Sequence, residues 1–300
     1  MKILLATDGS ASAQAAVDCL IRFPFPGDSE VTVLTVIDRD VFNNQEVSAL
    51  NDEQQEALKE TEKIVQEAAQ ELLEREAARL RNAGWSESSE LRIGHPAEEI
   101  VRVAEQLDID CIIVGSHGMS GIKRFLLGSV SDHVLQYAPC SVLIVKKHDQ
   151  HCAGSGKPLR MLLPYDDSAP ARRAAEFCAS LPLGEQTAVT ALTVLPLVTL
   201  YRQDIRQRLS WLWQEKKKQA LATLEGVAEK IGLTTPHVET QLREAPDVSD
   251  EILHAATELS SDLIVLGHKG KGAIKTFLLG STTSRIAHHA TCSVLAVRNY

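Results

Sequence analysis

Two glycine-spaced loops could hold a polyanion by backbone alone. The first runs Gly115-Ser-His-Gly118, then nine residues, then Gly128-Ser129; the second runs Gly267-His-Lys-Gly270, then nine residues, then Gly280-Ser281. Gripping several phosphates requires close approach of backbone N–H groups, and glycine permits both φ > 0 geometry and the absence of a Cβ wall. Gly115 and Gly118 are expected to make the turn that leaves a strand. Gly128-Ser129 then opens a helix whose uncapped N–H groups and dipole favour an anion. Ser129 and Ser131, or Ser281 and Thr283, can each offer a hydroxyl to phosphate oxygens. Lys123 and Arg124 in the first loop, and Lys269, Lys271 and Lys275 in the second, offset part of a polyphosphate's charge.

Asp8 and Asp166 close the first apolar run of each half and should stand across the same crevice from the glycine loops. A carboxylate there suits ribose hydroxyls; the competing reading has Asp8 and Ser10 simply capping the next helix. His117 and His268 lie in the loops, as phosphate contacts or as solvent-facing residues. His288-His289 has no partner at metal-ligand spacing. Gly156-Lys157 is not a Walker A element, because Pro158 follows and no glycine stands five residues before Gly156.

The elements that position these residues are themselves duplicated. Strand-like runs Asp110 to Val114 and Asp262 to Leu266 precede the loops. Lys2-Ile-Leu-Leu-Ala-Thr-Asp8-Gly-Ser10 matches Arg160-Met-Leu-Leu-Pro-Tyr-Asp166-Asp-Ser168, and Val31-Thr-Val-Leu-Thr-Val36 matches Val189-Thr-Ala-Leu-Thr-Val194. Ser10 and Ser168 can cap helices over Ala11 to Ile21 and Pro170 to Ser180. Long amphipathic helices are expected over Asn51 to Asn82 and Gln203 to Ile231, stopped by Gly84 and Gly232. A third strand around Leu91 leads through Gly94-His-Pro96 to a helix over Glu98 to Gln106. Its partner runs from Val238 through Pro246 to Ser249 to Leu259, with Glu244 in place of Gly94 and two extra residues. Alternating strands and helices imply a doubly wound parallel sheet covered on both faces, with ligands at the carboxyl ends of strands. Residues 1–147 and 159–300 are expected as two domains joined by a linker over 148–158.

Composition narrows the function classes. A net charge of -9 and pI near 5.6 argue against nucleic-acid or anionic-membrane partners. No apolar run approaches the ~20 residues that span a bilayer, and Met1-Lys-Ile-Leu-Leu-Ala enters a strand where a signal peptide would have its h-region. A cytoplasmic location follows as the expectation. Six scattered cysteines have no zinc spacing, and Cys111, Cys140 and Cys292 read as small buried hydrophobes. Trp211 and Trp213 read as packing or interface anchors, and Lys216-Lys-Lys218 as a solvated helix face.

On these motifs the chain resembles a tandem universal stress protein of the UspA type, over nearly its whole length. The resemblance implies an α/β fold of two tandem doubly wound five-stranded parallel-sheet domains, adenine-nucleotide alpha-hydrolase-like and Rossmann-like. It implies ATP, with Mg2+ as an accompanying ion, in one or both halves. Adenine would meet the backbone of the second strand, ribose the aspartate, and phosphates the glycine loop. Carried over, the first site is Asp8, Val36, Gly115, Gly118, Gly128 and Ser129, to which Thr7, Val130 and Ser131 add lining. The second is Asp166, Val194, Gly267, Gly270, Gly280 and Ser281, with Thr282 and Thr283. Two departures mark the second half: Asp167 replaces Gly9, adding negative charge that Lys269 and Lys271 oppose, and Pro164-Tyr165 replaces Ala6-Thr7.

A nucleotide-responsive regulatory or protective module in stress response is the leading expectation, with no catalytic residue, slow ATP hydrolysis at most, and an unknown protein partner. An adenylyl-transferring enzyme would need a His-x-Gly-His element after the first strand, where this chain has Thr7-Asp-Gly-Ser and Tyr165-Asp-Asp-Ser. A scaffold with empty pockets is the third class. The closing strands, Val142 to Val145 and Val294 to Val297, are short and apolar and need cover, which predicts a pseudo-dimer within the chain or a homodimer.

Overall fold

The computed structural model describes residues 1–39, 52–118, 127–146, 158–197, 203–268 and 279–298. The chain forms two compact units, Met1–Lys147 and His148–Tyr300. The expected linker, apart from its last residue, lies outside the described residues, as do Cys152, Gly270 and the loop cations Lys123, Arg124, Lys269, Lys271 and Lys275.

In the first unit the chain runs β1 (Lys2–Ala6), α1 (Ala11–Arg22), β2 (Glu30–Asp38), α2 (Asp52–Asn82), β3 (Ser86–Gly94), α3 (Pro96–Gln106), β4 (Cys111–Gly115), α4 (Ser129–Tyr137) and β5 (Ser141–Val145). The second unit repeats this as β6 (Leu159–Pro164), α5 (Ala169–Ser180), β7 (Thr187–Pro196), α6 (Gln203–Ile231), β8 (His237–Ala245), α7 (Val248–Glu258), β9 (Leu263–Gly267), α8 (Ser281–His289) and β10 (Ser293–Val297). Each unit is a five-stranded sheet, ordered β3-β2-β1-β4-β5 and β8-β7-β6-β9-β10, with parallel pairing throughout. The chain leaves β1 toward β2 and β3, then returns to its other side at β4. The carboxyl ends of β1 and β4 therefore flank the switch point, where such sheets take ligands.

Central strands are apolar on both faces because helices cover both: Ile3, Leu4, Leu5, Ile112 and Ile113 are fully buried. β3 and β8 sit at the outer edge of their units with more polar sequences, and their burial patterns are identical residue by residue. Ser10 and Ser168 cap α1 and α5, their hydroxyl oxygens accepting from Ala13 and Ala171 N–H at 3.2 Å. Such caps contribute about 1 kcal/mol each. Arg79 fastens α2 to α1, donating to buried Glu76 at 2.7 Å and pairing with Asp18.

Two sequence expectations change here. Gly84 ends α2 at φ +89°, as a left-handed stop; α6 does end at Ile231, immediately before Gly232, but Gly232 is not left-handed, and its N–H still bonds Ala228 O at 2.8 Å. Ala245, not Glu244, takes the place of Gly94, since Asp38 pairs with Gly94 and Pro196 with Ala245. The two extra residues between proline and helix are there: Pro96 is itself the first residue of α3, whereas Pro246 stands two residues before α7 opens at Val248, with the cap Asp247 between.

Outside the site, the five described cysteines are buried and form no disulfide among the described residues. Trp213 donates to Glu244 at 2.9 Å, beside Lys217, while Trp211 stays exposed. Lys216 and Lys218 are solvated.

Candidate functional site

A crevice of about 190 Å³ opens at the switch point of the first unit. Its inner end is apolar, formed by Ala6, Leu34, Val36, Pro96 and Ile100. β1 stops pairing there while β2 continues. Thr7 N–H donates to Leu34 O at 2.9 Å; groups in a strand alternate sides, so Val36, two residues on, turns its N–H and C=O to the side β1 has left. Thr7 C=O accepts from the Thr35 hydroxyl at 3.1 Å. A donor and an acceptor on one strand edge, in an apolar slot, match the hydrogen-bonding edge of a purine. The second unit repeats the device: Tyr165 N–H donates to Leu192 O at 2.8 Å, and Thr193 Oγ1 donates to Tyr165 O at 2.7 Å, with Val194 beyond. Thr35 and Thr193 escaped sequence reasoning. Their signal was a threonine repeated one residue before the matched valines Val36 and Val194, as Thr32 and Thr190 repeat earlier in the same strands.

Asp8 and Asp166 stand exposed at the mouth. One oxygen of each accepts from the backbone N–H two residues on, Ser10 at 2.9 Å and Ser168 at 3.0 Å. The capping reading of Asp8 is therefore met in part: its carboxylate turns the chain into the helix while Ser10 supplies the cap. Its other oxygen lies beside Gly118, where a Cβ would come within 3.0 Å of it. Glycine leaves the carboxylate open to the crevice.

At the outer end Gly128 N–H donates to Ser116 O at 2.9 Å, and Gly128 caps α4 with no side-chain hydrogen bond. Gly280 does the same for α8, its N–H donating to His268 O at 3.0 Å. The first-turn N–H groups at Ser129 and Val130 line the crevice with the dipole's positive end. Ser129 is exposed, free to turn its hydroxyl outward. Ser131 and Thr283 are not. Their hydroxyls are buried and donate to Gly115 O at 2.6 Å and Gly267 O at 2.9 Å, which corrects their expected role as phosphate donors.

Gly115 and Gly118 also differ from expectation, for neither adopts φ > 0. Gly115 is the last residue of β4, and a Cβ on it would lie 2.6 Å from Ser12 C and 2.8 Å from Ala13 N. Gly267 is tighter, at 2.4 Å from Pro170 O. These glycines let a helix lie on the strand end; they do not turn the chain.

The histidines separate. His117 lines the crevice with Nδ1 3.1 Å from Ser116 Oγ, and its Nε2 is buried with no partner among the described residues. His268 occupies the position of Ser116 and is buried, its Nε2 2.9 Å from Arg298 Nη2. Guanidinium can only donate, so Nε2 accepts and the proton sits on Nδ1. Neither ring is a solvent-facing loop residue.

All nine residues expected at the first site line one crevice. In the second unit Asp166, Val194, Gly267, Thr282 and Thr283 line a smaller one of about 100 Å³, without Gly280 or Ser281. Asp167 holds φ +59° where Gly9 holds +76°. Its carboxylate accepts from Arg172 at 2.9 and 3.2 Å and from Tyr165 OH at 3.0 Å, so Arg172 is a described counter-charge at this carboxylate. Among the described residues no cluster of three His, Cys, Asp or Glu could hold a metal, and no helix is long and apolar enough to cross a membrane.

The sequence profile of the Universal stress protein family matches residues 1–146 and again 159–298. The chain belongs to this family. Single-domain relatives each match about half of it: Universal stress protein MJ0577 of Methanocaldococcus jannaschii is 35% identical over 49% of this chain and 94% of its own. YxiE of Bacillus subtilis is 30% identical over 48% and 98%. A crystal structure of a universal stress protein from Archaeoglobus fulgidus superimposes over 99% of this chain and 98% of its own, with TM-score 0.65 at 24% identity, a likeness of fold. The chain is thus a tandem universal stress protein whose two repeats share a fold and differ at their crevices.

That difference has a spectroscopic mark. Burial, the hydrogen bond to Asp167 and then its charge push the Tyr165 phenol up to about 12, with Arg172 opposing. A raised value means the neutral phenol stabilises the fold fully below about pH 10, and that contribution is lost as pH climbs through 12. Alkaline titration at 295 nm should therefore show one of the four tyrosines ionising late, and Tyr165→Phe should remove that step. A late step that survives the substitution refutes the assignment.

Proposed function

We propose that this tandem universal stress protein binds ATP in the crevice of its first unit and serves as a nucleotide-responsive module of the stress response in the cytoplasm. The observation that carries the reading is the convergence of three unlike groups on one crevice: the strand edge at Val36, the Asp8 carboxylate, and the α4 start at Gly128. The residues fit a nucleotide in that order. Val36 backbone and the apolar slot take the base, Asp8 accepts from ribose hydroxyls, and the N–H groups at Ser129 and Val130 with Gly118 take the phosphates. Ser131 holds the helix start against β4 while they do so. Any accompanying Mg2+ would be held by the phosphates. Protein purified without added nucleotide should release an adenine nucleotide on heating, identified by mass spectrometry and counted per chain. No retained nucleotide, together with no heat in an ATP titration, rejects the reading.

A further inference from the structure

Corresponding helices wall the two crevices, and one pair of helices is tied together where the other is not. In the second unit α7 contributes Val248 and Ile252 to the crevice lining, and α8 contributes Thr282 and Thr283. Arg285, one turn into α8, donates from Nη1 to Asp247 Oδ2 at 2.8 Å and from Nη2 to Asp250 Oδ1 at 2.6 Å. Asp247 stands just before Val248, and its other oxygen caps α7 by accepting from Asp250 N–H at 3.0 Å. One guanidinium therefore holds both carboxylates at the start of α7. The helix it reaches from is itself anchored, since Thr283 ties the first turn of α8 to Gly267 O of β9 at 2.9 Å. Farther along α7, Arg243 of β8 donates to Glu251 at 3.1 Å and to Glu258 at 3.0 Å. The start of α7 lies between those anchors, and Arg285 joins it to α8.

In the first unit the same positions, counted from the helix caps, carry other chemistry. His95 caps α3 with no side-chain hydrogen bond, and Glu98 stands where α7 has Asp250. His133 takes the place of Arg285 in α4, and its ring centroid lies 4.4 Å from that of Tyr137 on its own helix. Among the described residues no hydrogen bond or ion pair joins His133 to His95 or Glu98.

We propose that Arg285 is a positioning residue of the second crevice: it clasps the start of α7 to α8 and so sets the gap between two of the crevice's walls, a gap that salt loosens in the second unit alone. Arg285, Asp247 and Asp250 are all exposed, and exposed ion pairs weaken as ionic strength rises. No ligand enters this clasp, so it stands or falls apart from the nucleotide reading of the first unit. Hydrogen exchange resolved by segment, on the full chain without nucleotide, tests it. In low salt Arg285→Gln should speed exchange over the first two turns of α7 about threefold to tenfold, with α3 unchanged. Sodium chloride at about 1 M, where the screening length is about 3 Å, should do the same to the wild type and add nothing to the variant. Arg285→Lys, which keeps the charge, should stay nearer the wild type. Asp247→Asn with Asp250→Asn removes the partner charges while Asn still caps, and adding Arg285→Gln to that pair should change nothing further. Exchange in α7 unmoved by Arg285→Gln, or effects of the two sets that simply add, overturns the clasp. So does a wild type whose α7 and α3 respond alike to salt, an arm that decides even where a variant fails to fold.

Discussion

Gly267→Ala is expected to cost the second unit about 3 kcal/mol or more, the upper end for overpacking, with Gly115→Ala costing the first unit slightly less. The added Cβ would lie 2.4 Å from Pro170 O and 2.5 Å from Pro170 C, against 2.6 Å from Ser12 C and 2.7 Å from Ser12 O at Gly115. Those neighbours are helix backbone, which cannot rotate aside as a side chain can. The strands cannot retreat either, since β4 is paired with β1 and β5, and β9 with β6 and β10. Hydrogen exchange resolved by segment separates the units: protection should fall in β9 and α5 for Gly267→Ala, and in β4 and α1 for Gly115→Ala. If protection is unchanged and only ATP affinity falls, these glycines serve phosphates and the close-approach account is wrong.

Ser129→Glu should abolish ATP binding while leaving the fold intact or firmer. Ser129 is exposed in the first turn of α4, where a carboxylate gains about 0.3–1 kcal/mol from the helix dipole. The same carboxylate opposes phosphates entering at that helix end. Two like charges about 4 Å apart repel by about 4 kcal/mol at an effective dielectric of about 20, so a loss of at least a hundredfold in affinity is expected after screening. Calorimetric titration with ATP reads the loss, and thermal unfolding reads the stability. Ser129→Gln, which adds the bulk without the charge, should lose far less. Equal losses in both variants would show sterics, not charge, at work.

Sequence reasoning reached the fold because its signals were backbone requirements repeated twice. Apolar runs such as Ile3 to Leu5 sit in strands covered on both faces, and Ser10 and Ser168 cap the helices that follow. It also gathered the residues of the first crevice, since strand-end carboxylates and glycine-opened helices share one edge of such a sheet. It misread the purpose of Gly115, because a bare glycine looks alike whether the chain must turn or a helix must approach. It credited Ser131 and Thr283 to a ligand because spacing does not show which way a hydroxyl points. The Tyr165, Asp167 and Arg172 contacts were hidden for a related reason: they depend on a left-handed residue preceding a helix, and no periodicity links those positions.

The Ser131 hydroxyl ties the first turn of α4 to the last residue of β4, and Thr283 ties α8 to β9 in the same way. Donors at these helix starts are therefore aimed by folding itself, and under the proposed function a polyphosphate arriving at α4 would spend little of its binding free energy on ordering them. Departure of the ligand would leave both helices where they were. A partner that distinguishes full from empty at these helices would have to sense the field of the phosphates, a signal that salt weakens within about 10 Å, and not a displaced element of structure.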